Sequence, residues 1–151
     1  MYAILLADHS VRDVDVFRVV KMLLIHDIVE IDAGDMPIHG TQRQDQAQLE
    51  RAAAERIFGL LPSPQADELR ALWEEFEAAE TFDAQFAKAL DRLQPLLVNV
   101  WAGGGTWTEN AVSYEQVLQR YGPTIKRGAP DLWTLACGLV TQHFGRSTGT
   151  K

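Results

Sequence analysis

Val14-Asp15-Val16-Phe17-Arg18-Val19-Val20-Lys21-Met22-Leu23-Leu24-Ile25-His26-Asp27-Ile28-Val29-Glu30-Ile31 is the stretch whose reading decides the fold. Val16, Val19, Val20, Leu23, Leu24 and Ile28 recur at three- and four-residue spacing. That spacing puts them on one broad stripe, the mark of an amphipathic helix with one face on a core. Gly34 and Pro37 punctuate the end of this helix, and 35–42 reads as a loop with Gly40 inside it.

The same period continues outward. Residues 44–61 are rich in Ala, Glu, Arg and Gln, good helix formers, with Leu49, Ala53, Ile57 and Leu60 as the apolar positions. Leu61-Pro62-Ser63-Pro64 breaks the run, with Ser63 expected as an N-cap and Pro64 at the first helical position. The next helix, 65–80, carries Leu69, Leu72, Trp73 and Phe76. Thr81 is expected to cap a helix reaching about Trp101, with Phe82, Phe86, Leu90, Leu93 and Leu97 inward. Gly103-Gly104-Gly105 reads as a flexible hinge, since it lacks the strand and helix context of a phosphate-binding loop. Trp101 and Trp107 flank it and are expected to pack. Residues 112–120 and 130–144 supply two more helices, separated by Gly128 and Pro130.

No strand-like alternation and no internal repeat interrupts this pattern. The expectation is an all-α, single-domain bundle of about six helices over 1–145. A small polar tail, 146–151, is expected to be disordered. At the other end, Met1 to Ala7 reads as the end of a helix whose beginning is not in the chain, a hint of a shortened N-terminus.

Composition narrows the function classes. With 151 residues, 46% hydrophobic and 23% charged, the chain has an ordinary globular balance. Its formal net charge of -7 argues against a nucleic-acid partner, which normally meets a basic face. A small anionic substrate stays open, because a bound cation reverses the local potential of an acidic pocket. No apolar run approaches the roughly 20 residues needed to span a bilayer, so no membrane partner is expected. The one cysteine, Cys137, allows no disulfide within the chain and fits a reducing, cytoplasmic setting. It lies in an apolar run and reads as a buried structural thiol.

The chemistry concentrates where the apolar stripe runs out. His26 and Glu30 are four apart and Asp27 and Glu30 three apart, so a helix brings them to one face. Asp32 and Asp35 follow. An arbitrary His-Asp pair at a helix end is usually solvated; the clustering of His26, Asp27, Glu30 and Asp35 beside a core helix favours a site. Asp91 sits among Phe86, Leu90 and Leu93 on a second helix. A carboxylate beside a buried stripe needs a partner. A salt bridge to Lys88 or an arginine and a bound metal are equally good accounts of it.

The run 21–35, KMLLIHDIVEIDAGD, closely resembles the HD superfamily of metal-dependent phosphohydrolases, and within it the YfbR-like 5′-deoxynucleotidase branch. The resemblance continues through Leu72-Trp73-Glu74-Glu75-Phe76-Glu77 and through Ala87-Lys88-Ala89-Leu90-Asp91-Arg92-Leu93-Gln94-Pro95, toward Trp133. It implies an HD-domain fold and one divalent metal, with His26, Asp27 and Asp91 as ligands. It implies Glu30 as the acid or base beside the attacking water, and Asp35 as a second acidic position at the pocket edge. It implies a (deoxy)nucleoside 5′-monophosphate or similar small phosphate ester as substrate, and a homodimer. A mixed imidazole and carboxylate set suits manganese, cobalt, iron, zinc, nickel or magnesium, and spacing does not choose among them.

One departure matters. The family's first metal histidine lies in an Ala-Glu-His-Ser-type motif, which Ala7-Asp8-His9-Ser10 mimics. His9 precedes His26 by 17 residues, roughly half the family's separation, so His9 is read instead as an ordinary polar residue at a helix end. On that reading the usual first helix and one metal ligand are absent, unless His9 or water completes the set. This leaves an alternative function: a catalytically inactive or truncated helical protein acting in dimerisation or partner binding. His39, after Pro37, is read as a surface loop histidine, and Lys88 and Arg92 as possible phosphate contacts or a solvated face.

Overall fold

The computed structural model describes residues 1–36, 38–40 and 44–147. Among them no strand occurs. The helices are α1 (Tyr2–Leu5), α2 (Val16–Ile25), α3 (Glu30–Ala33), α4 (Gln46–Phe58), α5 (Ser63–Ala78), α6 (Phe82–Trp101), α7 (Thr106–Glu109), α8 (Tyr114–Gly128) and α9 (Pro130–Ser147), with 3₁₀ turns at Ala7–His9 and His26–Val29. The six longer helices form the expected all-α bundle; α1, α3 and α7 are single turns. The last residues of the expected tail, 148–151, lie outside the described residues, as do Pro37 and 41–43 of the expected loop. No described helix is long and apolar enough to cross a membrane.

Two hydrophobic clusters organise the bundle. The larger is built on α6, whose Phe86, Leu90, Leu93 and Leu96 meet Val19 and Met22 of α2, Leu72 and Phe76 of α5, Val117, Tyr121 and Ile125 of α8, and Val140 of α9. The smaller packs Val29 and Ala33 against Ala53, Ala54 and Phe58 of α4 and Trp73 of α5. Phe76 and Trp73, three apart on α5, therefore face different clusters, and His26–Val29 runs along the seam between them.

Local chemistry sets most boundaries. Asp15 caps α2 by accepting from Arg18 N at 3.1 Å. Thr81 caps α6 as expected, accepting from Ala84 N at 3.2 Å. Ser113 and Gln116 form a reciprocal capping box that starts α8. Ser63 departs from expectation: Pro62 is the cap residue, Ser63 is already helical, and its hydroxyl donates to Asp67 at 3.0 Å.

Other readings are corrected too. The expected single helix over 14–31 is two α segments with a 3₁₀ turn between them. The buried face of α2 is Val19 and Met22, whereas Leu24 is 76% exposed. Phe82 and Leu60 also face outward. The helix expected over 112–120 runs on to Gly128, through Pro123. Trp107 is buried, but Trp101 is 67% exposed. Cys137 is half-buried on α9 rather than buried.

The Gly103–Gly105 hinge is a built turn. All three glycines have positive φ. A Cβ on Gly104 would lie 2.1 Å from Thr108 Oγ1, and one on Gly105 would lie 2.8 Å from Asn99 Oδ1. Asn99, buried, donates to the Pro95 carbonyl at 2.9 Å and accepts from Thr106 Oγ1 at 2.9 Å. The turn thus closes onto its own polar side chains, which only glycine permits.

Candidate metal centre and substrate cleft

The seam between the clusters opens into a cleft of about 760 Å³, walled by α3, α4, α5, α6 and α8. At its floor His26 is held from both ring nitrogens. Nδ1 donates to the Leu23 carbonyl at 3.0 Å. Nε2 lies 3.0 Å from Asp27 Oδ1 and 3.2 Å from Asp91 Oδ1. The ring packs on Phe76 with centroids 4.8 Å apart. Phe76 also carries Lys88 Nζ at 4.6 Å from its centroid, so one buried phenyl ring supports both an imidazole and an ammonium.

The structure thus brings together His26, Asp27 and Asp91, which lie up to 65 residues apart in the chain. Both carboxylates can only accept, so in this arrangement Nε2 donates and the ring is an imidazolium. Burial works against that charge, but hydrogen bonds and charge from Asp27 and Asp91 outweigh it and raise the pKa to about 10. The imidazolium in turn holds Asp27 below the usual carboxylate range.

The 3₁₀ turn tightens the acidic side of the cleft. Asp27 within the turn and Glu30 just after it are three apart, a spacing that brings side chains to one side, and both line the cleft. Burial first, then repulsion from Asp27 and Asp35, raises the Glu30 carboxyl to about 7, with His26 opposing the shift. Glu30 and Asp35 both line the cleft. The pairing predicted for an α-helix, His26 with Glu30, is replaced by one in which His26 turns toward α6.

Among the described residues, no group of three His, Cys, Asp or Glu side chains is arranged to hold a metal ion. Asp27 and Asp91 both lie against His26 Nε2 instead of surrounding a point. The donor set nevertheless fits a divalent cation by its chemistry: one imidazole nitrogen and two carboxylates. The Leu23 carbonyl fixes the proton on Nδ1, the arrangement that leaves Nε2 as the ligating atom of a metal-bound histidine.

The remaining histidines stand elsewhere. His9 is exposed in the 3₁₀ turn and is not part of the cleft wall. His143 packs against Trp107 and Phe144. His39, read as a surface residue, is half-buried against Tyr121, 5.6 Å between ring centroids. Burial and, second, the charge of Arg120 lower its pKa.

Sequence reasoning missed several wall residues. Phe76 looked like core alone. Arg120 and Thr124 of α8 and Gln46 and Glu50 of α4 also line the cleft. Nothing in the chain marks them, because each lies on an amphipathic helix whose partners are set only by the tertiary fold.

Residues 1–133 match the HD-domain family. A crystal structure of a "Predicted metal-dependent phosphohydrolase" from Magnetospirillum magnetotacticum MS-1 superposes with a TM-score of 0.88 at 50% identity, covering 96% of this chain and 74% of that one. The 5′-deoxynucleotidase HDDC2 of Xenopus laevis is 31% identical over 106 residues, 70% of this chain and 47% of the relative. Its human counterpart is 35% identical over 81 residues, 53% of this chain and 40% of the relative. The chain spans about half the length of the curated relatives it matches. With the helical bundle, the cleft at its seam and the match over 1–133, the chain belongs to the HD-domain family.

Proposed function

We propose that this chain is a metal-dependent phosphohydrolase that releases phosphate from a (deoxy)nucleoside 5′-monophosphate. One observation carries the reading: Asp27 and Asp91 both meet His26 Nε2, at 3.0 and 3.2 Å, on the floor of an open cleft. The names of the relatives support the substrate class. A volume of about 760 Å³ is in the range of pockets that enclose a small organic ligand.

His26 through Nε2, with Asp27 and Asp91 through carboxylate oxygens, would hold the divalent cation, whose identity the donor set leaves open. When bound, it supplies Lewis-acid chemistry, lowering the pKa of water and neutralising phosphate oxygens. Glu30, poised near neutrality, orients the attacking water and takes its proton at the carboxylate. Asp35, at the cleft edge, adds the charge that keeps Glu30 basic. Lys88 and Arg92 stand on the same wall as Asp91, where they can meet phosphate oxygens. The products are inorganic phosphate and a nucleoside. The homodimer implied by the resemblance and the cytoplasmic setting read from the single cysteine belong to the same proposal. Light scattering on purified protein reports the homodimer directly.

The test is phosphate release from a panel of deoxynucleoside and ribonucleoside 5′-monophosphates with added manganese or cobalt. The reading expects turnover that Asp91→Asn and Glu30→Gln each reduce at least about 100-fold, the scale of general acid–base contributions. No release from any monophosphate would sink it in favour of the inactive-module alternative, which the 5′-deoxynucleotidase relatives do not favour.

A further inference from the structure

The described wall of the cleft is mostly acidic: Asp27, Glu30, Asp35, Glu50, Glu77 and Asp91 outnumber His26, Lys88, Arg92 and Arg120. A phosphate dianion entering such a cleft meets repulsion unless cations are placed for it. His26, Lys88 and Arg92 are engaged, His26 by Asp27 and Asp91. Lys88 pairs with Glu77 at 3.1 Å and lies over Phe76. Arg92 stands 3.8 Å from the adjacent Asp91. Arg120 makes no ion pair among the described residues, although acids outnumber bases around it.

The position of Arg120 follows from the register of α8. Val117, Tyr121 and Ile125 form the buried stripe. Arg120 and Thr124 each precede a stripe residue, so both emerge at the edge of the core, one turn apart, and line the cleft. Arg92 lines the same cleft from α6, beside Asp91. Two arginines from different helices therefore line one cleft, together with Thr124.

We infer that Arg120 is a positioning and specificity residue that binds the phosphate dianion of the substrate together with Arg92, so that the cleft favours monoesters over ligands without that charge. The inference rests on the phosphohydrolase reading for its substrate. An arginine suits the task because its planar fork takes two phosphate oxygens at once.

The experiment is calorimetric titration of manganese-loaded protein with inorganic phosphate and, separately, with an uncharged deoxynucleoside. Arg120→Ala should weaken phosphate binding about 10- to 100-fold, the range for a charge-assisted hydrogen bond, and leave nucleoside binding within about twofold. Arg120→Lys should recover part of the loss, and manganese content should be unchanged. Lys126→Ala, on α8 but outside the cleft, controls for net charge. Arg120 is exposed, so its variants should fold, and thermal melting checks this. A loss under about threefold, an equal loss in Lys126→Ala, equal losses for phosphate and nucleoside, or no phosphate binding by the unmodified protein would each overturn the inference. Failure of the hydrolase reading appears separately, as absent turnover in a protein that still binds phosphate through Arg120.

Discussion

Replacing Phe76 by leucine should separate packing from site support. Phe76 is 2% exposed and sits in the larger core between α2, α5 and α6. Truncation to alanine removes most of a buried ring and leaves a cavity, at a cost of about 3–5 kcal/mol. Leucine keeps most of the volume. What it loses is the contact with the His26 ring at 4.8 Å and the cation–π contact with Lys88 at 4.6 Å. Such ring pairs contribute about 0.5–1.5 kcal/mol and such cation contacts about 0.5–1 kcal/mol. Phe76→Leu should therefore cost about 1–2.5 kcal/mol in urea unfolding. With the imidazole less well held, divalent-metal affinity should also fall about tenfold, as it does when groups orienting a metal-bound histidine are removed. Leu96→Ala is the control, since Leu96 is fully buried and takes no part in the cleft wall; it should cost more stability, about 2–5 kcal/mol, yet leave metal affinity unchanged. A Phe76→Leu protein as stable as its parent and equal to it in metal affinity would refute the idea that this ring carries the site.

Gly128→Ala should destabilise severely, because its Cβ would lie 2.1 Å from the Gln85 carbonyl oxygen where α8 meets α6; Gly138→Ala, with nothing within 4 Å, should instead stabilise α9 by about 0.5–1 kcal/mol, and equal melting temperatures for the two variants would contradict this. In metal-free protein Glu30 has a folded-state pKa near 7, above its unfolded value, so the native state binds the extra proton. Its contribution is then present at low pH and lost as pH rises through about 7. Glu30→Gln should accordingly raise the melting temperature at about pH 8 and change it little near pH 5; no rise at the higher pH would count against the placement of Glu30. Arg18, which pairs with Glu75 and lies 3.8 Å from Asp83, is 45% exposed, so Arg18→Ala should cost no more than about 1 kcal/mol, and a much larger loss by urea unfolding would show that this surface network matters more than its exposure implies.

Helical periodicity and proline punctuation made the bundle legible, since 3.6-residue spacing is a local property of the chain. The Thr81 cap was legible for the same reason. The expected inward faces of α2 and α6 were right in kind but off at Leu24 and Phe82, because periodicity shows that a helix is amphipathic without fixing which edge residues a neighbour covers. The 3₁₀ turn at His26–Val29 was not legible. It depends on how the chain passes from one cluster to the other, a tertiary demand that overrides the local pattern. The meeting of His26 and Asp27 with Asp91 came from family resemblance; spacing alone left Asp91 balanced between a salt bridge and a metal. The contributions of Phe76, Arg120 and Thr124 to the cleft had no local signal, because they depend on how α5 and α8 dock on α6.

The most direct test of the central claim is metal stoichiometry by elemental analysis, comparing the parent protein with His26→Ala and Asp91→Ala after equilibration with manganese and removal of excess. The account predicts about one equivalent in the parent and a large loss in both variants, each of which removes one proposed ligand. No bound metal in the parent, or full retention in both variants, would contradict a metal centre at His26, Asp27 and Asp91.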